Sequence, residues 1–224
     1  MPLQVFQIIQ RVQTNLFDAA GVFFDHDAIF DSIQDGYDEV VLDTQCIENV
    51  VTVPYSNNTL YYDLYDGIYP TNNWFWRISR IFNQNTKRWI PCVDDLVLDK
   101  FRFDWEASVG ACWFAHIVNF QYLTFFPHLS TGVVGSFDVH YKVGRHLFNS
   151  DQDIPQIPDE FNRILESYAT ADLLEIYREF TKAAEYWDDY MKLKQKLRDY
   201  VPSRSLPSKI WQLNDLDWPS FGIP

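Results

Sequence analysis

Residues 158–201, PDEFNRILESYATADLLEIYREFTKAAEYWDDYMKLKQKLRDYV, decide the fold class. Phe161, Ile164, Leu165, Tyr168, Leu173, Leu174, Tyr177, Phe180, Ala184, Trp187, Tyr190, Met191, Leu193 and Leu197 recur at threes and fours, the period of one buried helical face. Pro158 fits a first helical position, where its missing N–H costs nothing, and Asp159 and Glu160 suit the positive end of the helix dipole. Lys192, Lys194, Lys196 and Arg198 crowd the other end, where cations are favoured. One helix over this run would be about 60 Å long, so the sequence predicts two, hinged near Thr181.

Upstream, FNSDQDIPQIPDEF reads as a linker, and before it the period changes. IENVVTV, NNTLYYDLY, NWFWRISRIF, KRWIPCV, ACWFAHIVNF, QYLTFF and SFDVHYKV are short β-branched and aromatic runs divided by Pro, Asn, Asp and Gly. WRISRIFNQNTKRWIPCV predicts a hairpin about N-Q-N-T, and a short helix is expected near Asp94–Phe103. At the N-terminus, residues 3–17 carry near-helical spacing with Gly21 as a plausible stop. A second helix follows Asp25 or Asp27 with Ile29, Phe30, Ile33, Tyr37, Val40 and Val41 on one stripe. The fold class is α+β: a helical bundle framework, made of an N-terminal helix pair and long C-terminal helices, with an inserted antiparallel β-rich region and an extended C-terminal tail. The expected divisions are 1–46, 47–148, 149–201 and 202–224.

Composition narrows the function. Of 224 residues, 18 are Lys or Arg and 31 Asp or Glu, a net charge of −13 that makes free nucleic acid a poor first partner. Aromatic residues at 17% exclude a disordered acidic chain. Eight glycines, about half the usual share, argue against phosphate-cradling loops. Cys46, Cys92 and Cys112 have no C-x-x-C spacing and read as buried thiols in a reducing compartment. MPLQVFQIIQRVQTNLFD is not patterned as a signal peptide and no run is long enough to span a membrane, so a soluble protein made in a cytoplasm is expected.

No nucleotide-loop, zincin, nucleophile-elbow or EF-hand motif is present. Gly132-Val-Val-Gly-Ser136 reads as a turn, Asp25-His26-Asp27 and Asp94-Asp95 as helix-start residues, and His116, His128 and His140 as structural. Neither an enzyme, a cofactor nor a metal site is expected. Charge is unevenly spread: from Arg11 to Arg77 there is no Lys or Arg, and eleven acids fall between them. Such a run is either a solvated face or a surface whose negativity matters; Asp25, Asp27, Asp31, Asp35, Asp38 and Glu39 are its candidate channel-lining members. In the Pro-rich C-terminal segment, Trp211, Leu213, Leu216, Trp218 and Phe221 cannot easily join a helix or central strand, so they are expected to anchor an interface.

The whole arrangement resembles the head-to-tail adaptor proteins of tailed phages, above all short-tailed and crAss-like ones. It rests on the helix pair PLQVFQIIQRVQTNLFD and HDAIFDSIQDGYDEVVLD, then LYYDLYDGIYPTNNWFWRISRIF, KRWIPCVDDLVLDKFRFDWE, GSFDVHYKVG and DQDIPQIPDEFNRILESYATADLLEIYREF. The family's Leu-Pro pair is here spread out as Leu64…Pro70. The resemblance implies a virion protein at the head–tail junction. It would form a homo-oligomeric ring of twelve copies beneath the portal, extend the DNA channel without binding DNA specifically, and offer a platform to tail proteins. Two alternatives stay open: a tail-tube or spike-joining component, and a carbohydrate-binding or enzymatic module using the Trp-rich strands.

Overall fold

The computed structural model describes residues 3–18, 21, 23–55, 61–63, 73–93, 109–110, 112, 114–118, 122–129 and 135–204. Two helices come first, α1 (Val5–Asn15) and α2 (His26–Thr44). Nine strands follow: β1 (Glu48–Tyr55), β2 (Tyr62–Asp63), β3 (Asn73–Asn83), β4 (Arg88–Ile90), β5 (Val109–Gly110), β6 (Phe114–Val118), β7 (Tyr122–Phe126), β8 (His128–Leu129) and β9 (Gly135–His146). A 3-10 turn (Asp159–Phe161) leads into α3 (Arg163–Ile176) and α4 (Phe180–Arg204). The class is α+β, as the sequence implies. The short helix expected near Asp94–Phe103 and the tail beyond Arg204 lie outside the described residues.

Several expected boundaries move, each for a local reason. α1 stops well before Gly21, because Phe17 takes a left-handed conformation (φ 57°) and Asp18 N–H donates to the Gln13 carbonyl at 2.9 Å. Its buried face is Val5, Ile8, Ile9 and Val12. Pro158 precedes the helical turn instead of opening it: its ψ of 135° is extended, and its carbonyl accepts the Phe161 N–H at 2.8 Å. The C-terminal run does divide in two, at Arg178 (φ 64°) rather than Thr181, and the Glu179 N–H caps the Leu174 carbonyl at 2.9 Å. That break re-aims the second helix, so Tyr177, Phe180, Ala184 and Met191 face outward although the periodicity would bury them.

The β region forms a four-stranded sheet in the order β1-β9-β3-β4, a three-stranded sheet β2-β7-β6, and a two-residue pair β5-β8. Every pairing is antiparallel except β5-β8. The expected hairpin is present: the Asn83 side chain accepts N–H bonds from Asn85 and Thr86, closing the turn between β3 and β4. β9 joins the two halves of the molecule. Phe137 and Val139 on its inner face enter a core with Val53, Ile81, Leu123 and Phe125, where Phe125 and Phe137 stack at 3.9 Å. Tyr141 and Val143, two and four positions on, enter the helical core with Ile33, Tyr37, Val40 and Leu165.

α2 crosses α3 where Gly36 meets Tyr168. A Cβ on Gly36 would fall 2.6 Å from the ring carbon Cδ1 and 2.7 Å from Cγ of Tyr168. The Tyr168 ring also packs on Trp187 (5.1 Å between centroids) and Tyr190 (5.2 Å) of α4, aromatic contacts each worth about 0.5–1.5 kcal/mol beyond their buried area. Beside this cluster the Tyr190 hydroxyl donates to Glu39 Oε1 at 2.6 Å. Lys194 Nζ reaches Glu39 at 2.6 Å and Asp43 at 2.8 Å, and lies 4.9 Å from the Tyr190 ring centre.

Two outcomes follow from this geometry. Gly36→Ala gains about 1 kcal/mol of helix propensity but drives a methyl into a ring held on three sides, a clash costing about 1–3 kcal/mol, more if α2 and α3 must part. Urea unfolding should show a net loss of stability. Burial opposes the Lys194 charge, but Asp43 and Glu39 overcome it and hold the ammonium above the ordinary lysine value; burial, then the bond to Glu39, raises the Tyr190 hydroxyl. The lysine's contribution is complete below its unfolded value and disappears as pH climbs through the folded one. The tyrosine keeps its proton where the unfolded chain gives it up. Stability should therefore fall from about pH 10 upward, and Lys194→Met should blunt that fall while costing about 1–2 kcal/mol at pH 7.

Candidate assembly surfaces

The six acids of α2 separate into two groups. Asp38 bonds Arg145 Nε at 2.6 Å and the Gln34 side chain at 2.9 Å, and Glu39 belongs to the Tyr190–Lys194 cluster. Burial raises the Asp38 carboxyl, with Arg145 offsetting part of the effect, and both acids are half-buried. Asp25, Asp27, Asp31 and Asp35 are exposed, and the last three recur every fourth residue, on one ridge of the helix. Like charges at that spacing repel by a few tenths of a kcal/mol per pair. Asp25 takes the N-cap position without a side-chain cap bond; Asp18 instead accepts the N–H groups of Phe23 and Phe24 at 2.9 and 2.8 Å.

That Asp18 clamp shapes a second surface, which periodicity alone does not reveal. Phe17 and Phe23 flank the clamped loop and are 91% and 70% exposed. The Tyr177 hydroxyl donates to the Phe23 carbonyl at 2.8 Å, and its ring lies 4.5 Å from Phe24, which brings the α3–α4 turn to the same pole. Ile176, Tyr177 and Phe180 there are 65%, 52% and 63% exposed. Scattered exposed apolar side chains are ordinary, but five beside the Asp18 clamp and the α3–α4 turn, on a backbone fixed by polar bonds, make this pole a candidate interaction surface. The only sequence signal for it was that Tyr177 and Phe180 sit on either side of the break.

The β strands supply a third face. Glu48 meets Lys142 at 2.9 Å, His140 at 3.5 Å and Arg80 at 3.7 Å. Burial opposes the Glu48 charge, but the Lys142 bond and the Lys142 and Arg80 charges outweigh it, and the carboxyl lies below its usual range. Arg80 lies over the half-exposed Trp89 ring at 4.8 Å. Trp76 is exposed as well, so alternation along this hairpin buries neither Trp76 nor Trp89; Trp105 and Trp113 lie outside the described residues. Of the basic side chains here, Arg80 and Lys142 pair with Glu48, and Lys87 donates to the Gln84 side chain at 3.1 Å.

Other expected sites resolve simply. Cys46 and Cys112 are half-buried and Cys92 is exposed, against the expectation of three buried thiols. Burial pushes the Cys46 and Cys112 thiols above their ordinary value, away from nucleophilic behaviour. His116 contacts the Val93 carbonyl at 3.1 Å. Among the described residues no group of three or more His, Cys, Asp or Glu side chains could hold a metal, and no helix is long and apolar enough to cross a membrane. Asp94-Asp95 and the five tail anchors Trp211, Leu213, Leu216, Trp218 and Phe221 lie outside the described residues.

Replacing Phe17, Phe23 and Phe180 together by Ser removes apolar surface already in water. The melting temperature of the free protein, followed by circular dichroism, should therefore move by no more than a few degrees.

A search of curated proteins finds no match to this chain. The family model described as SU10 adaptor protein matches residues 4–209, a span that takes in both helix pairs and the whole β region. With a match that spans the helical framework and the inserted β region, the chain belongs to the SU10 adaptor protein family of phage head-to-tail adaptors.

Proposed function

We propose that this adaptor forms a homo-oligomeric ring of twelve copies beneath the portal, extends the DNA channel, and presents a platform to tail proteins. Family membership supports a structural virion component at the head–tail junction. The observation that carries the finer reading is the apolar pole: Phe17, Phe23, Ile176, Tyr177 and Phe180 are held exposed by the Asp18 clamp and the Tyr177–Phe23 bond. Each such side chain contributes on the order of 1–3 kcal/mol when a partner covers it. That is a sufficient reason for a virion protein to keep it in water until assembly. In this reading, assembly takes place in the host cytoplasm.

In the ring, Asp25 and the ridge of Asp27, Asp31 and Asp35 face the channel. Exposed carboxylates repel phosphate, so DNA slides past instead of adhering. Asp38 and Glu39 stand behind the ridge, neutralised by Arg145 and Lys194. The C-terminal anchors Trp211, Leu213, Leu216, Trp218 and Phe221 tie the ring to adjacent protein.

Mixed with its portal, the full chain should give rings on one end of portal particles in negative-stain images. A portal complex that never forms overturns this reading. Deleting residues 203–224 should weaken the assembly while leaving the far-ultraviolet circular dichroism nearly unchanged. Asp27→Lys, Asp31→Lys and Asp35→Lys together should make the assembled particle retain duplex DNA at low salt and release it as salt rises. Unchanged retention would remove these acids from the channel.

A further inference from the structure

At the junction of the helical framework and the sheet lies an open cavity of about 430 Å³, lined by Leu42 of α2, Phe75 and Trp76 of β3, and Gly144 of β9, with Asp38, Glu39 and Arg145 at its rim. Its size is within the range of pockets that accept a bulky aromatic group. Leu42 and Trp76 are 40% and 52% exposed in the single chain, so this apolar floor is wet. Trp76 reaches it through a β-bulge: the register with β9 passes from Phe75↔Val143 to Arg77↔Lys142, leaving Trp76 as the extra residue. Bulges of this kind re-aim a side chain at sheet edges. Among the described residues the β3 edge is also unpaired over most of its length. β4 pairs only with Ile81–Asn83, so among the described residues no strand lies beside β3 from Asn73 to Arg80 on the side away from β9.

Resting on the ring reading above, we propose that this groove receives Trp211 from the C-terminal segment of a second copy, with residues 209–214 adding as a strand along the open edge of β3. From Trp211 to Asn214 the side chains of Trp211 and Leu213 alternate with Gln212 and Asn214, while Lys209 falls on the Trp211 side and Ile210 on the other. Over Trp211 to Asn214 that is the pattern of a strand with one apolar side, and strand addition takes affinity from the backbone and specificity from pockets for alternate side chains. Length permits the contact. Lys194 bonds Glu39 on the groove rim, α4 continues ten residues to Arg204, about 15 Å, and Trp211 lies seven residues further, a reach of about 23–25 Å. The exposure of Leu42 and Trp76 leaves the groove free to take a segment, and the ring reading, which needs a contact between copies, assigns that segment to a neighbour. Each copy then gives a tail and receives one, a head-to-tail contact that closes as a ring.

The test is photo-crosslinking in the full chain with p-benzoylphenylalanine at position 211, using mixed light and heavy-isotope chains assembled on the portal, with crosslinks mapped by mass spectrometry. The expected result is light-to-heavy crosslinks to residues 40–46 and 74–77, reduced about tenfold by Trp76→Ala with Leu42→Ser and unaffected by Trp89→Ala, a comparably exposed tryptophan elsewhere on the sheet. Rings whose crosslinks map to the portal, to another face, or only within one chain overturn the groove assignment and leave the ring reading standing. Equal loss with Trp89→Ala overturns it too. Absence of rings overturns the ring reading, and this inference with it.

Discussion

The absence of a single methyl group, at Gly36, lets α2 lie against the Tyr168 ring of α3, and most of the architecture follows from that closeness. With α2 seated there, Glu39 one turn further on meets Tyr190 and Lys194 of α4, so three helices lock through one aromatic and ionic cluster. One turn before it, Ser32 donates to Asp172 of α3 at 2.7 Å. A larger residue at position 36 would have to separate all of these at once. The spacing is therefore a tertiary requirement, set against the helix propensity of the residue that meets it.

The sheet depends on the same frame. β9 places Tyr141 and Val143 in the helical core and Phe137 and Val139 in the strand core, so the β region is tied to the bundle by one continuous strand face. Asp38 adds a polar tie, because the Arg145 that neutralises it comes from β9. With both halves fixed, the remaining exposed features hold definite positions: the apolar pole at the α3–α4 turn, the acidic ridge along α2, and the groove between α2 and β3. Rigid presentation suits the ring proposed above, since ordering a loop at each contact would subtract from its affinity.

Much of the frame was legible in the sequence because periodicity reports burial. Of the stripe, Ile29, Ile33, Tyr37, Val40 and Val41 are buried as spacing implies and Phe30 is half-buried, and the β3–β4 hairpin turns where Asn83 and its neighbours supply turn chemistry. What spacing missed was conformational. Phe17 and Arg178 adopt left-handed backbones usually left to glycine, so neither helix end was visible, and the outward turn of Tyr177 and Phe180 was hidden with them. The pairing of Asp38 with Arg145 and of Glu39 with Lys194 joins residues more than a hundred positions apart, which no local pattern encodes. A run of acids therefore looked uniform although its members divide into free and neutralised. The bulge at Trp76 likewise exists only in the pairing of β3 with β9.

The central claim is that this rigid unit assembles through its pole and its groove, leaving the outer sheet face around Val50 and Trp89 free. Hydrogen–deuterium exchange on the full chain, alone and bound to its portal, tests that most directly. The account predicts new protection at residues 17–24, 176–180 and 74–77 on assembly, with exchange around Val50 and Trp89 unchanged. Protection confined to the strands around Val50 and Trp89, with the pole and the β3 edge exchanging as in the free chain, would contradict it.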